Sequence, residues 1–230
     1  MKVTAIIPSA GLGGRISSST RTKSLLPKQF LKISGKEILI HTLEKFEKAK
    51  SIDEIIISSG KDQMKLAEKL VEKHKLRKVA KIVAGGKERQ HSVYNAFQNV
   101  IAASSDLICV HDAVRPFISS IEIDEMISFA KKYKSVIAAV KANDTIKTGK
   151  YYVSKTLDRS KIWLVQTPQV FSFEILNRAF EKAWTENFIS TDEASIVERI
   201  GKRVYFFEIK GENRKITTTA DLDYVRFHLK

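Results

Sequence analysis

An α/β fold with a doubly wound, mostly parallel sheet is predicted by three observations. Short, continuously apolar runs at residues 3–8, 54–58, 79–83, 107–110 and 135–140 alternate with stretches of helical period at 38–49, 62–74, 91–103 and 121–131. Strands flanked by helices in this way are buried on both faces, so they read as unbroken hydrophobic runs. Polar segments follow the first, third and fourth runs, beyond the carboxyl ends of the strands, where ligands bind in such sheets.

The first strand runs into Pro8-Ser9-Ala10-Gly11-Leu12-Gly13-Gly14-Arg15, with Pro27-Lys28-Gln29 downstream. Glycines let a backbone approach a ligand closely, and successive free N–H groups form an anion-binding concavity. Arg15 and Lys28 would supply charge for a polyphosphate. The loop lacks the Gly-Lys-Ser/Thr ending of a P-loop, and Ile16 stands where the dinucleotide fingerprint needs its last glycine. A structural glycine turn between strand and helix would look similar, so the loop alone leaves both readings open.

The third strand is followed by Gly85-Gly86-Lys87-Glu88-Arg89-Gln90 and the fourth by His111-Asp112-Ala113-Val114-Arg115-Pro116, so three strand ends converge on one cleft. The pattern becomes more polar after the fifth strand. A turn at Thr148-Gly149-Lys150 between extended segments points to a hairpin arm over about 141–158. A helix at 174–184, a capped helix from Thr191, a strand at 203–209 and a helix from Thr219 complete the chain. Thr191-Asp192-Glu193-Ala194 has the form of an N-cap followed by first-turn acids, whether or not Thr191 also touches a ligand.

At 230 residues and 43% hydrophobic, the chain is expected to form a single domain over 1–230, since it has only 4 prolines and no low-complexity tract or internal repeat. The run that stops at Pro8 is too short for a signal-peptide core or a membrane span, so a soluble, cytoplasmic protein is expected, with no membrane partner. The single cysteine, Cys109, excludes a disulfide framework and is read as a buried small hydrophobe. A net charge of +14 raises the question of nucleic acid. Lys61, Lys65, Lys69 and Lys73 instead recur at helical spacing opposite Leu66, Leu70 and Val71, as on a solvated face, and no basic stripe interleaved with aromatics occurs. No nucleic-acid partner is expected, although the excess charge would attract anionic small substrates.

Taken in order, Gly11 to Arg15, Pro27-Lys28-Gln29, Gly85-Gly86 with Glu88-Arg89-Gln90 and Ser92-Val93, His111-Asp112-Ala113 with Arg115-Pro116-Phe117, Asp144-Thr145-Ile146-Lys147, Asp158-Arg159, Gln166-Thr167-Pro168-Gln169, Thr191-Asp192-Glu193-Ala194 and Lys215-Ile216-Thr217 form a set that resembles the 4-diphosphocytidyl-2-C-methylerythritol synthases. The resemblance spans nearly the whole chain. It implies a Rossmann-like, nucleotide-diphospho-sugar-transferase-like fold with a protruding β-arm. It also implies that CMP passes from CTP to 2-C-methyl-D-erythritol 4-phosphate with release of pyrophosphate.

By the same resemblance, Arg15, Lys28 and Lys215 grip the triphosphate and stabilise the α-phosphoryl group, while Ser9, Ala10, Gly11, Gly13, Gly86, Ser92, Asp112 and Ala113 bind CTP. Arg115, Thr145, Arg159, Thr167 and Thr191 hold the acceptor or shape its pocket. Asp112 lies next to a Mg²⁺ that needs few protein ligands; the alternative reading of the residue is a cap after the strand. His111 is structural, and the five histidines show no zinc spacing. Arg89 organises its loop. The arm reaches into a second subunit, implying a homodimer. Residues 16–26 are longer than the family pattern, Lys87 stands at a position that is often acidic, and Lys141 stands where proline is common. Asn213 is kept and is a candidate for assisting the metal.

A ribitol 5-phosphate cytidylyltransferase would share the glycine loop, Pro-Lys-Gln, His-Asp-Ala and Gln-Thr-Pro-Gln segments. Ser92-Val93, Asp158-Arg159 and Thr191 to Ala194 favour the methylerythritol pattern. A third possibility is a non-catalytic nucleotide- or RNA-binding protein that keeps the fold, because fold alone does not settle function. The joint presence of Arg15, Lys28, Asp112 and Lys215 argues against it, since simple binding does not require cations gathered around an α-phosphate.

Overall fold

Seven strands pair into one sheet in a computed structural model of the protein, which describes residues 1–11, 26–103 and 106–228. The main-sheet strands are β1 (Val3–Ser9), β4 (Glu54–Ser59), β5 (Val79–Ala84), β6 (Leu107–Val110), β7 (Ser135–Lys141), β10 (Trp163–Ser172) and β11 (Tyr205–Glu208). Two short hairpins, β2 (Lys32–Ile33) with β3 (Lys36–Glu37) and β8 (Lys147–Gly149) with β9 (Val153–Thr156), lie outside the sheet. The helices are α1 (Ile38–Lys48), α2 (Met64–Lys73), α3 (Arg89–Phe97), α4 (Ser120–Tyr133), α5 (Phe173–Thr185), α6 (Glu193–Arg199) and α7 (Thr219–His228).

The sheet order is β11-β7-β10-β6-β1-β4-β5. Strand β1 pairs in parallel with β4 on one side and β6 on the other, so the order reverses around β1 and opens a crevice there. Alternate residues of the central strands feed two cores. Val3, Ala5 and Ile7 pack with Leu43 and Phe46 of α1 and Met126 of α4, whereas Ile6, Ile56 and Ile108 pack with Val93 and Phe97 of α3 and Phe180 of α5. Burial on both faces is the physical reason these strands carry unbroken apolar runs.

The expected elements at 54–58, 79–83, 107–110 and 135–140 are present to within a residue. Two helix boundaries need correction, and one strand went unmarked. The sheet is mostly parallel, as expected; β10, which sequence patterning did not mark, inserts antiparallel between β6 and β7. Its Gln166-Thr167-Pro168 segment coincides with a register shift between Val165 and Gln169, and an irregularity of this kind is where a sheet accepts proline. Helix α3 ends at Phe97 and does not extend to 103, because Phe97 is its last core contact and Ile101 is exposed. The N-cap of α6 is Asp192 and not Thr191; Asp192 Oδ1 accepts from the Ser195 N–H at 3.1 Å, and Thr191 is exposed.

The hairpin arm is formed by β8 and β9, with its bend at residues 150–152, slightly beyond the turn predicted at 148–150. None of the helices among the described residues is long and apolar enough to cross a membrane.

Candidate active site

The carboxyl ends of β1, β4, β5 and β6 surround a cavity of about 760 Å³. That size suits a small organic ligand. Pro8, Ser9, Ala10 and Gly11 form one wall, Gly60 and Lys61 follow β4, Gly85 to Arg89 and Ser92 form the opposite rim, and Asp112, Ala113 and Val114 close the floor with Lys28, Gln29 and Lys215.

The walls are held by side chains that sequence reading had assigned to ligand contact or left without a role. Buried Gln29 donates from Nε2 to the carbonyls of Ser9 (2.6 Å) and Gly11 (3.1 Å), fixing the exit of β1. Ser92 Oγ accepts from the Gly86 N–H at 3.0 Å and donates to the Glu88 carbonyl at 3.1 Å, so it braces the Gly85-Gly86 loop against α3. Gly85 permits that loop to lie against β1: a Cβ there would collide with the Ala10 side chain and come within 3.0 Å of Ser92 Oγ.

Asp112 is the hub of the floor. Its Oδ1 accepts from Arg89 Nε at 3.0 Å, its Oδ2 lies 2.7 Å from Lys215 Nζ, and Arg115 Nε lies 3.5 Å from Oδ2. Burial alone would push this carboxyl up; Arg89, Lys215 and Arg115 outweigh it and hold Asp112 well below the usual carboxylate range. Arg89 is shared, its Nη1 donating to Glu193 Oε1 (2.8 Å) and Oε2 (3.0 Å). Burial opposes the Arg89 charge, but Glu193 and Asp112 together keep it above its ordinary value.

Beneath Asp112, Thr167 Oγ1 accepts from the Asp112 N–H at 3.1 Å and contacts His111 Nδ1 at 3.2 Å. His111 is fully buried, its other nitrogen 3.0 Å from the Arg115 carbonyl, and burial pushes its pKa down to about 4. It is therefore a neutral ring wedged beneath the floor, as expected of a structural histidine.

Lys215 comes from a crossing segment fixed at several points. Arg115 donates to the Asn213 carbonyl at 2.8 Å, Asn213 Nδ2 to the Thr167 carbonyl at 2.7 Å, and the Ile216 N–H to the Val114 carbonyl at 2.9 Å. Lys28 Nζ donates to the Ile216 carbonyl at 2.9 Å, so it reaches the segment that carries Lys215.

A family model for 2-C-methyl-D-erythritol 4-phosphate cytidylyltransferase matches residues 3–230. The chain belongs to this family. The cytidylyltransferase of Geotalea uraniireducens is 40% identical over 233 residues, covering 100% of this chain and 97% of the relative. That of Dictyoglomus thermophilum is 40% identical over 226 residues, covering 96% and 94%. Among solved structures, the 4-diphosphocytidyl-2C-methyl-D-erythritol synthase of Anaerococcus prevotii superposes with a TM-score of 0.84 at 29% identity, over 99% of this chain and 96% of that one. The cytidylyltransferase of Francisella tularensis gives 0.81 at 33% identity, over 99% of each chain.

Of the positions the cytidylyltransferase resemblance singles out, Ser9, Ala10, Gly11, Lys28, Gly86, Ser92, Asp112, Ala113 and Lys215 border the cavity. Arg115 and Thr167 lie buried under its floor. Gly13 and Arg15, with most of the long 16–26 segment, fall outside the described residues. Thr145, Arg159 and Thr191 are exposed and do not border the cavity; Arg159 Nη1 donates to the Asn143 carbonyl at 2.7 Å. Sequence reading missed Gly60, Lys61 and the Glu193 carboxylate. A glycine and lysine after an apolar strand are the one signal that could have found the first two; nothing local marks a first-turn glutamate as the partner of Arg89.

Proposed function

We propose that the protein transfers CMP from CTP to 2-C-methyl-D-erythritol 4-phosphate, releasing pyrophosphate. The observation that carries this reading is the cavity floor, where Lys28 and Lys215 flank an Asp112 that three cations keep ionised. The acceptor phosphate needs no strong base, since its second pKa near ~6 leaves it largely dianionic at neutral pH. One of its oxygens forms a bond to the α-phosphorus of CTP as the bond to the β-phosphate bridging oxygen breaks, and pyrophosphate leaves with that electron pair. The protein's contribution is alignment and positive charge where negative charge accumulates. The lysines supply the charge; the β1 exit and the Gly85-Gly86 loop supply a backbone wall that selects a pyrimidine by size.

The residues present fit a Mg²⁺ bound together with the triphosphate. Among the described residues no cluster of three or more His, Cys, Asp or Glu side chains could hold a metal by itself. An ionised carboxylate has about four lone-pair sites, and Asp112 spends one on Arg89 and one on Lys215. About one site on each oxygen therefore remains for an ion whose other ligands are phosphate and water oxygens. Bound there, Mg²⁺ would offset charge on the triphosphate.

The exposed Thr145 and Arg159 at the ends of the arm, with Tyr151 and Tyr152 at 88% and 81% exposure on its tip, support a homodimer in which the arm packs on a second copy and brings acceptor contacts to its cavity. One fold unit over 1–230 and a reducing, cytoplasmic setting accord with a continuous main sheet and the buried, free Cys109. Pyrophosphate release with Mg²⁺ and CTP is the direct test, with 2-C-methyl-D-erythritol 4-phosphate and D-ribitol 5-phosphate offered in parallel. Turnover with the first alone is expected. Turnover with ribitol 5-phosphate alone would overturn the acceptor, and silence with both would overturn the reaction.

A further inference from the structure

Residues 188–193, which lead into α6, are tied to the first turn of α3 by two consecutive side chains. Gln90 Oε1 accepts from the Ser190 N–H at 2.7 Å and from Ser190 Oγ at 3.1 Å, and Gln90 Nε2 donates to the Phe188 carbonyl at 3.1 Å. Its neighbour Arg89 grips both oxygens of Glu193 and, through Nε, Asp112. Helix α6 does not need the Glu193 carboxylate for capping. Asp192 already accepts from the Ser195 N–H, and Gln169 Oε1 accepts from the N–H groups of Glu193 and Ala194 at 3.1 and 3.0 Å.

A charge pair at this depth is a poor way to gain stability, since well-packed apolar groups of similar volume serve as well or better. It does provide orientation. The guanidinium fork is planar, so two carboxylates bound to one arginine are fixed relative to each other in distance and angle. Here those carboxylates belong to the cavity floor and to the segment that carries Thr191, while the loop ahead of Arg89 forms the cavity rim.

Resting on the nucleotidyl-transfer reading above, we infer that Arg89, backed by Glu193, is a positioning residue that locks the 188–193 segment and Asp112 into one frame, setting the acceptor in line with the nucleotide. Releasing the lock at its Glu193 end leaves the residues that line the nucleotide cavity in place and misaligns the second substrate. Misplacement of reacting groups by about 1 Å costs up to about 100-fold in rate.

The test compares wild type with Glu193→Gln, which keeps shape and loses charge, and Arg89→Lys, which keeps charge and loses the fork. Each is assayed well below its own melting temperature with CTP and 2-C-methyl-D-erythritol 4-phosphate, and each is titrated calorimetrically with a non-hydrolysable CTP analogue and Mg²⁺. The expected result is a fall in kcat of about 10-fold or more and a rise in acceptor KM for both variants, with analogue affinity within about 3-fold of wild type for Glu193→Gln, whose side chain does not line the cavity. Gln90→Met, which removes neutral hydrogen bonds only, should show the same split more weakly and serves if the charge variants fail to fold. A melting temperature that drops while kcat and both KM values hold would make the lock a simple strut and overturn the inference. Lost analogue affinity at unchanged kcat would place Arg89 in nucleotide recognition and overturn it as well. An active wild type matched by its variants sinks this inference alone; a wild type inactive with that acceptor sinks the functional reading too.

Discussion

In and beneath the cavity floor Asp112, Glu193, Thr167, His111 and Asn213 are buried, and each is engaged by side chains or backbone from distant parts of the chain. On the arm, Thr145, Tyr151, Tyr152 and Val153 are exposed, and Arg159 holds a backbone carbonyl two elements away. Buried polar groups are stable only when their partners are in place, so folding of a single chain builds the floor and fixes its charges beforehand. Two short strands with an aromatic tip have no core of their own, and a lone hairpin is marginal in water. The difference separates a floor that folding of one chain preorganises from an arm that has no core to hold it.

The largest effects should come from the floor. Lys215→Ala and Lys28→Ala are each expected to lower kcat by roughly 100- to 1,000-fold, the range for removing one preorganised transition-state charge, with circular dichroism near wild type. Activity within a few fold of wild type would remove that lysine from the catalytic set. Asp112→Asn should cost both rate and stability, because Arg115 and Lys215 lose their counter-charge in a buried site. A loss of about 3 kcal/mol is expected by urea unfolding, and no loss would mean that the cations find other partners.

Gly85→Ala drives a Cβ into Ala10 and Ser92. Overpacking of this kind costs roughly 1–3 kcal/mol, and here it should appear chiefly as weaker CTP binding in a calorimetric titration, since Gly85 borders the cavity. Asp221 sharpens the comparison outside the floor. It accepts from the N–H groups and hydroxyls of Thr217 and Thr218, just past Lys215 and Ile216. Burial pushes its carboxyl up, but those donors win and bring its pKa from 3.8 down to about 2. A depressed folded pKa contributes stability that is present above pH 3.8 and is lost as the pH falls through about 2. Asp221→Ala should therefore cost about 1 kcal/mol at neutral pH and flatten the acid limb of the melting-temperature profile in that window. The smallest effect on protomer stability should come from the arm. Replacing Tyr151 and Tyr152 by serine should change unfolding free energy by no more than about 0.5 kcal/mol per site, yet shift sedimentation toward monomer if the arm docks on a second copy.

Much of the nucleotide half was legible because its signals are local. An apolar run interrupted by glycines gives a strand and its exit loop wherever it sits in the chain, and the exits of β1, β5 and β6 meet in the cavity as patterning predicted. Strand β10 was not legible. Gln166, Thr167 and Pro168 interrupt its apolar pattern, and the bulge that accommodates them exists only because β7 lies alongside. The end of α3 was overextended for a related reason: Val100 and Ile101 continue an apolar pattern that no core receives at Ile101.

The sequence by itself determined the class of fold, the order of its central strands and helices, and the supply of cations and glycines from which a phosphate site could be built. Hydrophobic periodicity and turn chemistry act over a few residues, so they are written in the chain directly. Only the tertiary structure decided which charges meet. Arg89 finds Glu193 104 residues away and Asp112 23 residues away, and Lys28 reaches a carbonyl 188 residues along. Electrostatic pairing depends on distance in space and on burial, which local sequence does not encode. The same physics makes Ser92 a brace and His111 a neutral wedge, roles fixed by the neighbours that packing brings to them.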